Sequence, residues 1–131
     1  MRKRKEFDSI GPIDVPADKY WGASTQRSKK YFDIGEIRVR PELIKSIAII
    51  KKSAAIVHKK NRQIKPKIAN AIIKASNEII SGKLIDNFPL KVWQTGSGTQ
   101  TNMNVNEVIS NRSIQILGGK MGTKKPVHPN D

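Results

Sequence analysis

A short run of small and hydroxyl-bearing residues in the second half of the chain has the residue types needed to bind an anion. Two glycines, Gly96 and Gly98, let the backbone turn sharply and approach a ligand with no Cβ in the way. Ser97 and Thr99 supply hydroxyl groups that donate or accept hydrogen bonds. We call residues 95–99 the glycine loop. Its chemistry predicts recognition of negative charge through hydrogen bonds.

A helix is predicted to follow the glycine loop. Glu107 lies three residues after Asn104, a pairing typical of a capped helix start, and we predict a helix over about 103–117. Apolar residues recur along it at three-to-four residue spacing: Val105, Val108, Ile109 and Ile116. A small-residue loop that leads into a helix N-terminus directs free N–H groups and the positive end of the helix dipole at a ligand. The alternative is a polar turn that only caps the helix.

The glycine loop does not fit the two common phosphate-binding motifs. A Walker-type loop needs a lysine after its last glycine, and none follows Gly98. A dinucleotide fingerprint needs a third glycine, where this chain has Thr101. Both nucleotide hypotheses are therefore excluded by the residues themselves.

Two further helices are predicted before the loop, each opened by a proline at its first position. Pro41 begins a helix over about 41–61, and Pro66 begins one over about 66–82, with Gly82 as its C-terminal signal. The connection between them is short, so we expect antiparallel neighbours. On the first helix the predicted apolar stripe consists of Leu43, Ile47, Ile50, Ala54 and Val57, widened by Ile44, Ala48 and Ala55. On the second helix it consists of Ile68, Ile72, Ala75 and Ile79.

The two ends of the chain lack helical periodicity. Residues 1–35 are expected to be an irregular arm, with short edge strands or a hairpin at most near 10–18. A short helix is expected over about 24–28, with Ser24 or Thr25 as its N-cap. Tyr20, Trp21 and Gly22 are expected to pack this arm onto the helices. Arg27 in the arm is interpreted as a structural ion pair rather than a ligand-binding group. Residues 118–131 form a tail that ends in His128-Pro129-Asn130-Asp131, a polar turn and a weak candidate for holding a cation.

Composition limits the class of protein. A length of 131 residues matches one domain, and the absence of cysteine excludes disulfides and thiolate metal sites. No run approaches the length of a membrane span, and no apolar segment follows the basic first five residues. We therefore expect a cytoplasmic protein without a membrane partner. The fold class is predicted as mainly α, with three principal helices and a partly extended N-terminal arm.

The formal net charge of +14 raises the question of nucleic-acid binding. The 25 lysines and arginines are scattered along the chain, and the few aromatic residues do not lie among them. No nucleic-acid motif is present. We therefore expect no nucleic-acid partner, although a basic helical nucleic-acid module stays an alternative that steeply salt-dependent DNA binding would support.

The residues around the glycine loop resemble a long family motif. Trp-Gln-Thr-Gly-Ser-Gly-Thr-Gln at 93–100 and Asn-Met-Asn-Val-Asn-Glu-Val at 102–108 are similar to the first signature region of class II fumarases, members of the fumarase/aspartase superfamily of lyases. The segment 15–28 and the string His-Pro-Asn-Asp at 128–131 also resemble that family. Aspartate ammonia-lyases are similar but differ at Trp93, Thr95, Ser97, Val105 and His128, and these five choices favour fumarase. The resemblance extends from Asp8 to Asp131.

The resemblance implies reversible hydration of fumarate to malate in the tricarboxylic acid cycle, with no cofactor and no metal. It implies that Ser97, Gly98 and Thr99 bind a substrate carboxylate. It implies that His128, Pro129, Asn130 and Asp131 form a secondary dicarboxylate site outside the catalytic pocket. Asn104 and Asn106 would brace the loop, although capping explains them equally well.

The resemblance also implies what these 131 residues lack. The family's catalytic serine, active-site histidine and lysine lie downstream, and members are homotetramers built on a central helical bundle. We therefore expect residues 1–131 to be the N-terminal domain of a class II fumarase, without that bundle or the C-terminal domain, carrying no catalytic residue and inactive alone. The alternatives are an inactive dicarboxylate-binding or interaction remnant and an aspartate ammonia-lyase-like lyase.

Overall fold

The computed structural model describes residues 2–131 and has a mainly α architecture, as predicted. A two-stranded hairpin is followed by four α-helices, with one 3₁₀ turn before the last helix. In chain order the elements are β1 (Lys3–Asp8), β2 (Gly11–Pro16), α1 (Ala23–Tyr31), α2 (Pro41–Lys60), α3 (Pro66–Ile80), the 3₁₀ turn (Ile85–Asn87) and α4 (Thr99–Ile116). The three long helices are the three that the sequence predicts.

The N-terminal arm contains more regular structure than the predicted irregular 1–35 segment. Strands β1 and β2 pair antiparallel in the register Lys3 with Pro16 through Asp8 with Gly11. The Asp8 side chain closes the turn, since its Oδ1 accepts from the N–H of Ile10 at 3.0 Å and of Gly11 at 3.2 Å. The first strand was not predicted because its lysines and arginine hide the alternation that marks a strand.

Helix α1 is present where a short helix is expected, but its N-cap is Gly22 and not Ser24 or Thr25. No side chain of α1 caps its own N-terminus. Trp21, immediately before it, is 3% exposed and belongs to the core, as predicted for the residues that pack the arm onto the helices.

Helices α2 and α3 begin at the predicted prolines and pack against each other. Gly82 follows α3 with φ of +84°, and the N–H groups of Gly82 and Lys83 bond back to the carbonyls of Ile79 and Glu78. This is the predicted C-terminal signal.

The predicted core face of α2 is wrong for most of its residues, although Ile47 does pack against the core. Ile44, Ala48 and Ala55, expected only to widen the stripe, are the buried residues of this helix. Leu43, Ile50 and Val57 are 51%, 65% and 51% exposed. Periodicity placed both sets on neighbouring faces, and only the position of α3 and α4 selects one of them.

Helix α4 begins at Thr99, four residues before the predicted start, and its N-cap is Gly98 rather than Asn104. Asn104 and Glu107 therefore lie inside the helix and are buried, at 2% and 4% exposed. Ten residues of α4 are buried, and the helix contacts α1, α2 and α3. It is the central element of the fold. It ends where predicted, with Leu117 as C-cap before Gly118 and Gly119.

Within residues 2–131, no helix combines the length and the apolar character that crossing a lipid bilayer requires.

Candidate carboxylate-binding site

The glycine loop is held at the start of α4 by a short antiparallel contact with the segment before α2. Arg38 and Lys91 form an isolated β-bridge, and the N–H of Val92 donates to the carbonyl of Ile37 at 2.9 Å. Lys91 also pairs with Asp33, Nζ to Oδ1, at 2.6 Å, and that hydrogen bond lowers the pKa of Asp33. The chain therefore enters the loop from a fixed direction.

The loop itself is a tight turn. The N–H of Gly98 donates to the carbonyl of Thr95 at 3.2 Å. Gly98 has φ of +72°, a left-handed conformation that is strained for any residue with a Cβ. The next residue, Thr99, is the first of α4. The glycine is therefore required at the point where the turn becomes the helix.

The three residues predicted to bind a carboxylate are brought together on the surface. The hydroxyl of Ser97 donates to Oγ1 of Thr99 at 3.0 Å, and both side chains and Gly98 are exposed. The N–H of Thr99 lies 3.4 Å from Oγ of Ser97. Two hydroxyls and the first amides of α4 therefore face solvent together, at the positive end of the helix dipole. This arrangement suits an anion with two oxygen atoms close together.

Gln94, which is not among the predicted site residues, closes the loop with both ends of its side-chain amide. Its Oε1 accepts from both the N–H and the hydroxyl of Thr101, each at 3.1 Å. Its Nε2 donates to the carbonyl of Lys91 at 2.9 Å. Gln94 thus serves as the cap of α4 from outside the helix, the function that the sequence analysis assigned to Asn104. A glutamine seven residues before a threonine has no recognised capping signature, so spacing alone could not have found it.

Thr99 and Gln100 also line a cavity of about 570 Å³ between the hairpin, α1 and α4. Arg27 lies on this cavity, but it is bound to Asp8 by two bonds of 2.8 Å and to the carbonyl of Gly11 at 3.0 Å. The bond between the two side chains lowers the pKa of Asp8 and raises that of Arg27. Arg27 is therefore a structural ion pair, as predicted.

The buried acid of α4, Glu107, is fully engaged. Its oxygens accept from the N–H groups of Gly22, Ser24 and Thr25 and from the Thr25 hydroxyl, at 2.6–3.1 Å. Burial raises the pKa of Glu107, and these hydrogen bonds oppose the rise. Glu107 therefore caps α1 rather than its own helix. With its oxygens turned to α1, it is not directed at the glycine loop.

Asn104 connects α4 to the segment before the loop. Its Nδ2 donates to the carbonyl of Asn87 at 2.9 Å. Asn106 has only a weak contact, 3.6 Å from Nδ2 to Sδ of Met103. Of the two asparagines expected to brace the loop, Asn104 ties α4 to the 3₁₀ turn that precedes it.

The tail residues His128 to Asp131 form a turn closed by its own groups. The N–H of His128 donates to the Asp131 carboxylate at 3.3 Å, and the N–H of Asp131 donates to the His128 carbonyl at 3.1 Å. The N–H of Asn130 donates to Nδ1 of His128, also at 3.1 Å. Pro129 has no N–H. Each backbone donor of this turn therefore already has a partner within the turn.

A cavity of about 330 Å³ lies between the tail and helices α2, α3 and α4. Both histidines of the chain, His58 and His128, line it together with Lys51 and Lys65. Across residues 2–131, no group of three histidine or acidic side chains is arranged to hold a metal ion.

Comparisons with known proteins identify the family of the chain. A family model described as "Lyase" matches residues 11–131. A class II fumarate hydratase from Brucella suis is 56% identical over 128 residues, and a mitochondrial fumarate hydratase from Rhizopus oryzae is 59% identical over 130. In both cases 98% of this chain is covered.

A solved structure shares the fold. The crystal structure of recombinant class II fumarase from Schistosoma mansoni superimposes with a TM-score of 0.93 at 43% identity, covering 98% of this chain and 27% of that one. The chain spans 28% of the length of the Brucella relative and 26% of the Rhizopus relative. Because the family model matches nearly the whole chain and the relatives share more than half of its residues, the chain belongs to the lyase family, in its class II fumarate hydratase group.

Proposed function

We propose that this chain supplies the carboxylate-binding part of a fumarate hydratase that interconverts fumarate and (S)-malate. The observation that carries the proposal is the pair of exposed hydroxyls of Ser97 and Thr99, 3.0 Å apart beside the left-handed Gly98. Thr99 is the first residue of α4 and Ser97 immediately precedes the N-cap, Gly98, which has no side chain to cap the helix. The names of the relatives supply the substrate, and the geometry supplies a place for its carboxylate.

The chemistry of hydration explains why such a site matters. Removal of a proton next to a carboxylate puts additional negative charge on that carboxylate. Donors that are fixed before the reaction stabilise this charge without reorganisation. In this proposal the hydroxyls of Ser97 and Thr99 and the first amides of α4 are those donors. Gly98 lets the carboxylate approach the backbone.

Proton transfer is assigned to groups outside these 131 residues. Glu107 is the buried acid of α4, and its oxygens are occupied by α1. The cavity that Thr99 lines contains one carboxyl group, Asp8, which is paired with Arg27. We therefore propose that the chain alone binds substrate without turning it over. We further propose, from the family resemblance, that the whole protein acts in the tricarboxylic acid cycle as a homotetramer.

A second, weaker dicarboxylate site is proposed at His128 to Asp131. The basic groups Lys51, His58 and Lys65 on the neighbouring cavity favour an anion there. However, the amides of the turn are bonded within it, and the Asp131 carboxylate repels a ligand of the same charge. A dicarboxylate must displace these bonds, so its affinity should be lower than at the glycine loop.

The test is a titration of the isotopically labelled chain with fumarate, followed through the backbone amides by NMR. We expect saturating shifts at Ser97, Gly98 and Thr99. Thr99→Ala and Ser97→Ala should each weaken binding about tenfold, because each removes a hydrogen bond to a charged oxygen. Ser53→Ala is the matched control, since its hydroxyl lies on α2 and bonds to the carbonyl of Ile49.

Three results would overturn parts of the proposal. Equal affinity of the wild type and Thr99→Ala would remove the glycine loop as the site. Tighter binding of L-aspartate than of fumarate would favour the ammonia-lyase alternative. Conversion of fumarate by the chain itself would contradict the assignment of proton transfer to other residues.

A further inference from the structure

We propose that Gln94 determines which class of anion the glycine loop accepts, restricting it to carboxylates and excluding phosphates. This inference rests on the proposed function, since it concerns the selectivity of the same site. It follows from where the first hydrogen-bond donors of α4 are directed.

Counted from the N-cap, the first four N–H groups of an α-helix have no partner within the helix. In α4 the N-cap amide of Gly98 donates to the carbonyl of Thr95, and the N–H of Asn102 makes the first bond within the helix, to the carbonyl of Gly98 at 3.2 Å. The three amides in between belong to Thr99, Gln100 and Thr101. Helix N-termini that bind phosphate present several such amides to the oxygens of the ligand. The number of amides left free therefore limits the anion that can be bound.

Gln94 removes the third amide from this set. Its Oε1 accepts from the N–H of Thr101 and also from the Thr101 hydroxyl, each at 3.1 Å. Thr101 is 7% exposed, so the carbonyl group of Gln94 stands between these two donors and the solvent. The Gln100 amide remains, together with the Thr99 amide, which makes only a long 3.4 Å bond to Oγ of Ser97. The hydroxyls of Ser97 and Thr99 bond to each other at 3.0 Å on the exposed surface, and an anion oxygen can replace these two weak contacts.

The orientation of the Gln94 side chain is fixed by its other end. Nε2 donates to the carbonyl of Lys91 at 2.9 Å. If the amide group were rotated by half a turn, its NH₂ would face the N–H of Thr101 and its oxygen would face the Lys91 carbonyl. Both contacts would be repulsive, so Gln94 presents its oxygen, an acceptor, to the N–H of Thr101.

The remaining donors match a carboxylate better than a phosphate. A carboxylate is planar and offers two oxygens, which the two hydroxyls and two amides can satisfy. A phosphate is tetrahedral, carries more charge and needs donors around three oxygens. The oxygen of Gln94 also places partial negative charge against the two Thr101 donors, which a third phosphate oxygen would need. Selectivity then comes from a repulsive element as well as from the attractive ones.

The experiment compares fumarate and inorganic phosphate as probes on the 131-residue chain and its variants. Gln94→Ala frees both donors of Thr101, and we expect phosphate affinity to rise about tenfold while fumarate affinity changes little. Gln94→Glu keeps an acceptor for Thr101 but adds charge, so both anions should bind more weakly. Asn77→Ala, an amide truncation at an exposed position of α3 away from both proposed sites, should change neither affinity.

Hydrogen exchange of the Thr101 amide, measured without any anion, tests the contact itself. We expect faster exchange in Gln94→Ala than in the wild type, and slow exchange in Gln94→Glu. Unchanged exchange in Gln94→Ala would overturn the contact. A ratio of fumarate to phosphate affinity that stays within twofold of the wild type in Gln94→Ala would overturn the selectivity. Failure of the wild type to bind fumarate would instead count against the proposed function. In that case the rise in phosphate affinity of Gln94→Ala over the wild type would still test whether Gln94 excludes phosphate.

Discussion

Thr25 donates two hydrogen bonds to a single carboxylate oxygen of Glu107, 82 residues further along the chain. The Thr25 N–H lies 3.1 Å from Oε2 and its hydroxyl 2.6 Å from the same atom. Gly22 and Ser24 add their own amides to this carboxylate. One side chain of α4 therefore supplies the cap that α1 lacks in its own sequence. This ties the N-terminal arm to the helix that begins at the glycine loop.

We predict that Glu107→Ala destabilises the chain by about 3 kcal/mol or more. The substitution leaves several donors at the N-terminus of α1 without an acceptor, and each buried donor left unpaired costs about 1–3 kcal/mol. Urea unfolding measures the loss. Glu36→Ala removes an exposed carboxylate and serves as the control, with an expected change below about 0.5 kcal/mol. Equal stabilities of the two variants would mean that the cap contributes nothing.

We predict that Gly22→Ala is destabilising because two buried carboxylates enclose this glycine. A Cβ at Gly22 would lie 2.6 Å from Oε2 of Glu6 and 2.9 Å from Cδ of Glu107. Overpacking of this kind typically costs about 1–3 kcal/mol. The matched control is Gly96→Ala, where no atom lies within 4 Å of the added Cβ. Thermal unfolding should give a lower melting temperature for Gly22→Ala than for Gly96→Ala. The reverse order of the two melting temperatures would contradict the prediction.

The ion pair between Asp8 and Arg27 makes part of the stability dependent on pH. The bond to Arg27 lowers the pKa of Asp8 below 3.8 in the folded chain, so the carboxylate is favoured by folding. Its contribution is fully present above the ordinary aspartate pKa and is lost as pH falls through the lowered value. We therefore expect the difference in unfolding free energy between wild type and Asp8→Asn to shrink as pH falls below about 4.

The control for this pH series is Asp86→Asn, an exposed carboxyl group in the 3₁₀ turn. The difference in unfolding free energy between Asp86→Asn and the wild type should stay small across the same pH range. If the difference in unfolding free energy between the wild type and Asp8→Asn grew as the pH fell, its pH dependence would have the opposite sign and the ion-pair explanation would be refuted.

The exposed ridge of α2, formed by Leu43, Ile50 and Val57 at seven-residue spacing, predicts self-association. The net charge of +14 opposes contact between copies, so association should increase with ionic strength. Sedimentation velocity at low and high salt measures it. Ile50→Ser should reduce the association, whereas Ile10→Ser, at the exposed hairpin tip, should not. A mass that is independent of salt and concentration would argue against this surface.

Helices α2 and α3 and their ends could be predicted because their signals are local. Pro41 and Pro66 begin helices since a proline ring fits the first turn, and Gly82 ends one since it accepts a positive φ. The glycine loop was found for the same reason. Its residues are adjacent in sequence, and Gly98 adopts the left-handed conformation that glycine permits.

The predicted start of α4 is wrong because the residues expected to cap it, Asn104 and Glu107, bond to partners that are distant in sequence. Asn104 and Glu107 have the spacing of a capping box, yet one bonds to Asn87 and the other to Thr25. Once Glu107 is committed to α1, nothing stops the helix from extending back to Thr99, where Gln94 caps it. A local pattern cannot distinguish these uses of the same side chains.

The sequence by itself determined the class of fold, three long helices and the residues of the glycine loop, because each depends on neighbours along the chain. Only the tertiary structure decided which face of α2 is buried, which helix Glu107 caps and which donors of α4 remain free for an anion. These depend on contacts between residues that are up to 85 positions apart, as Gly22 and Glu107 are. Their energies come from burial and hydrogen-bond geometry, which do not exist until the elements have packed.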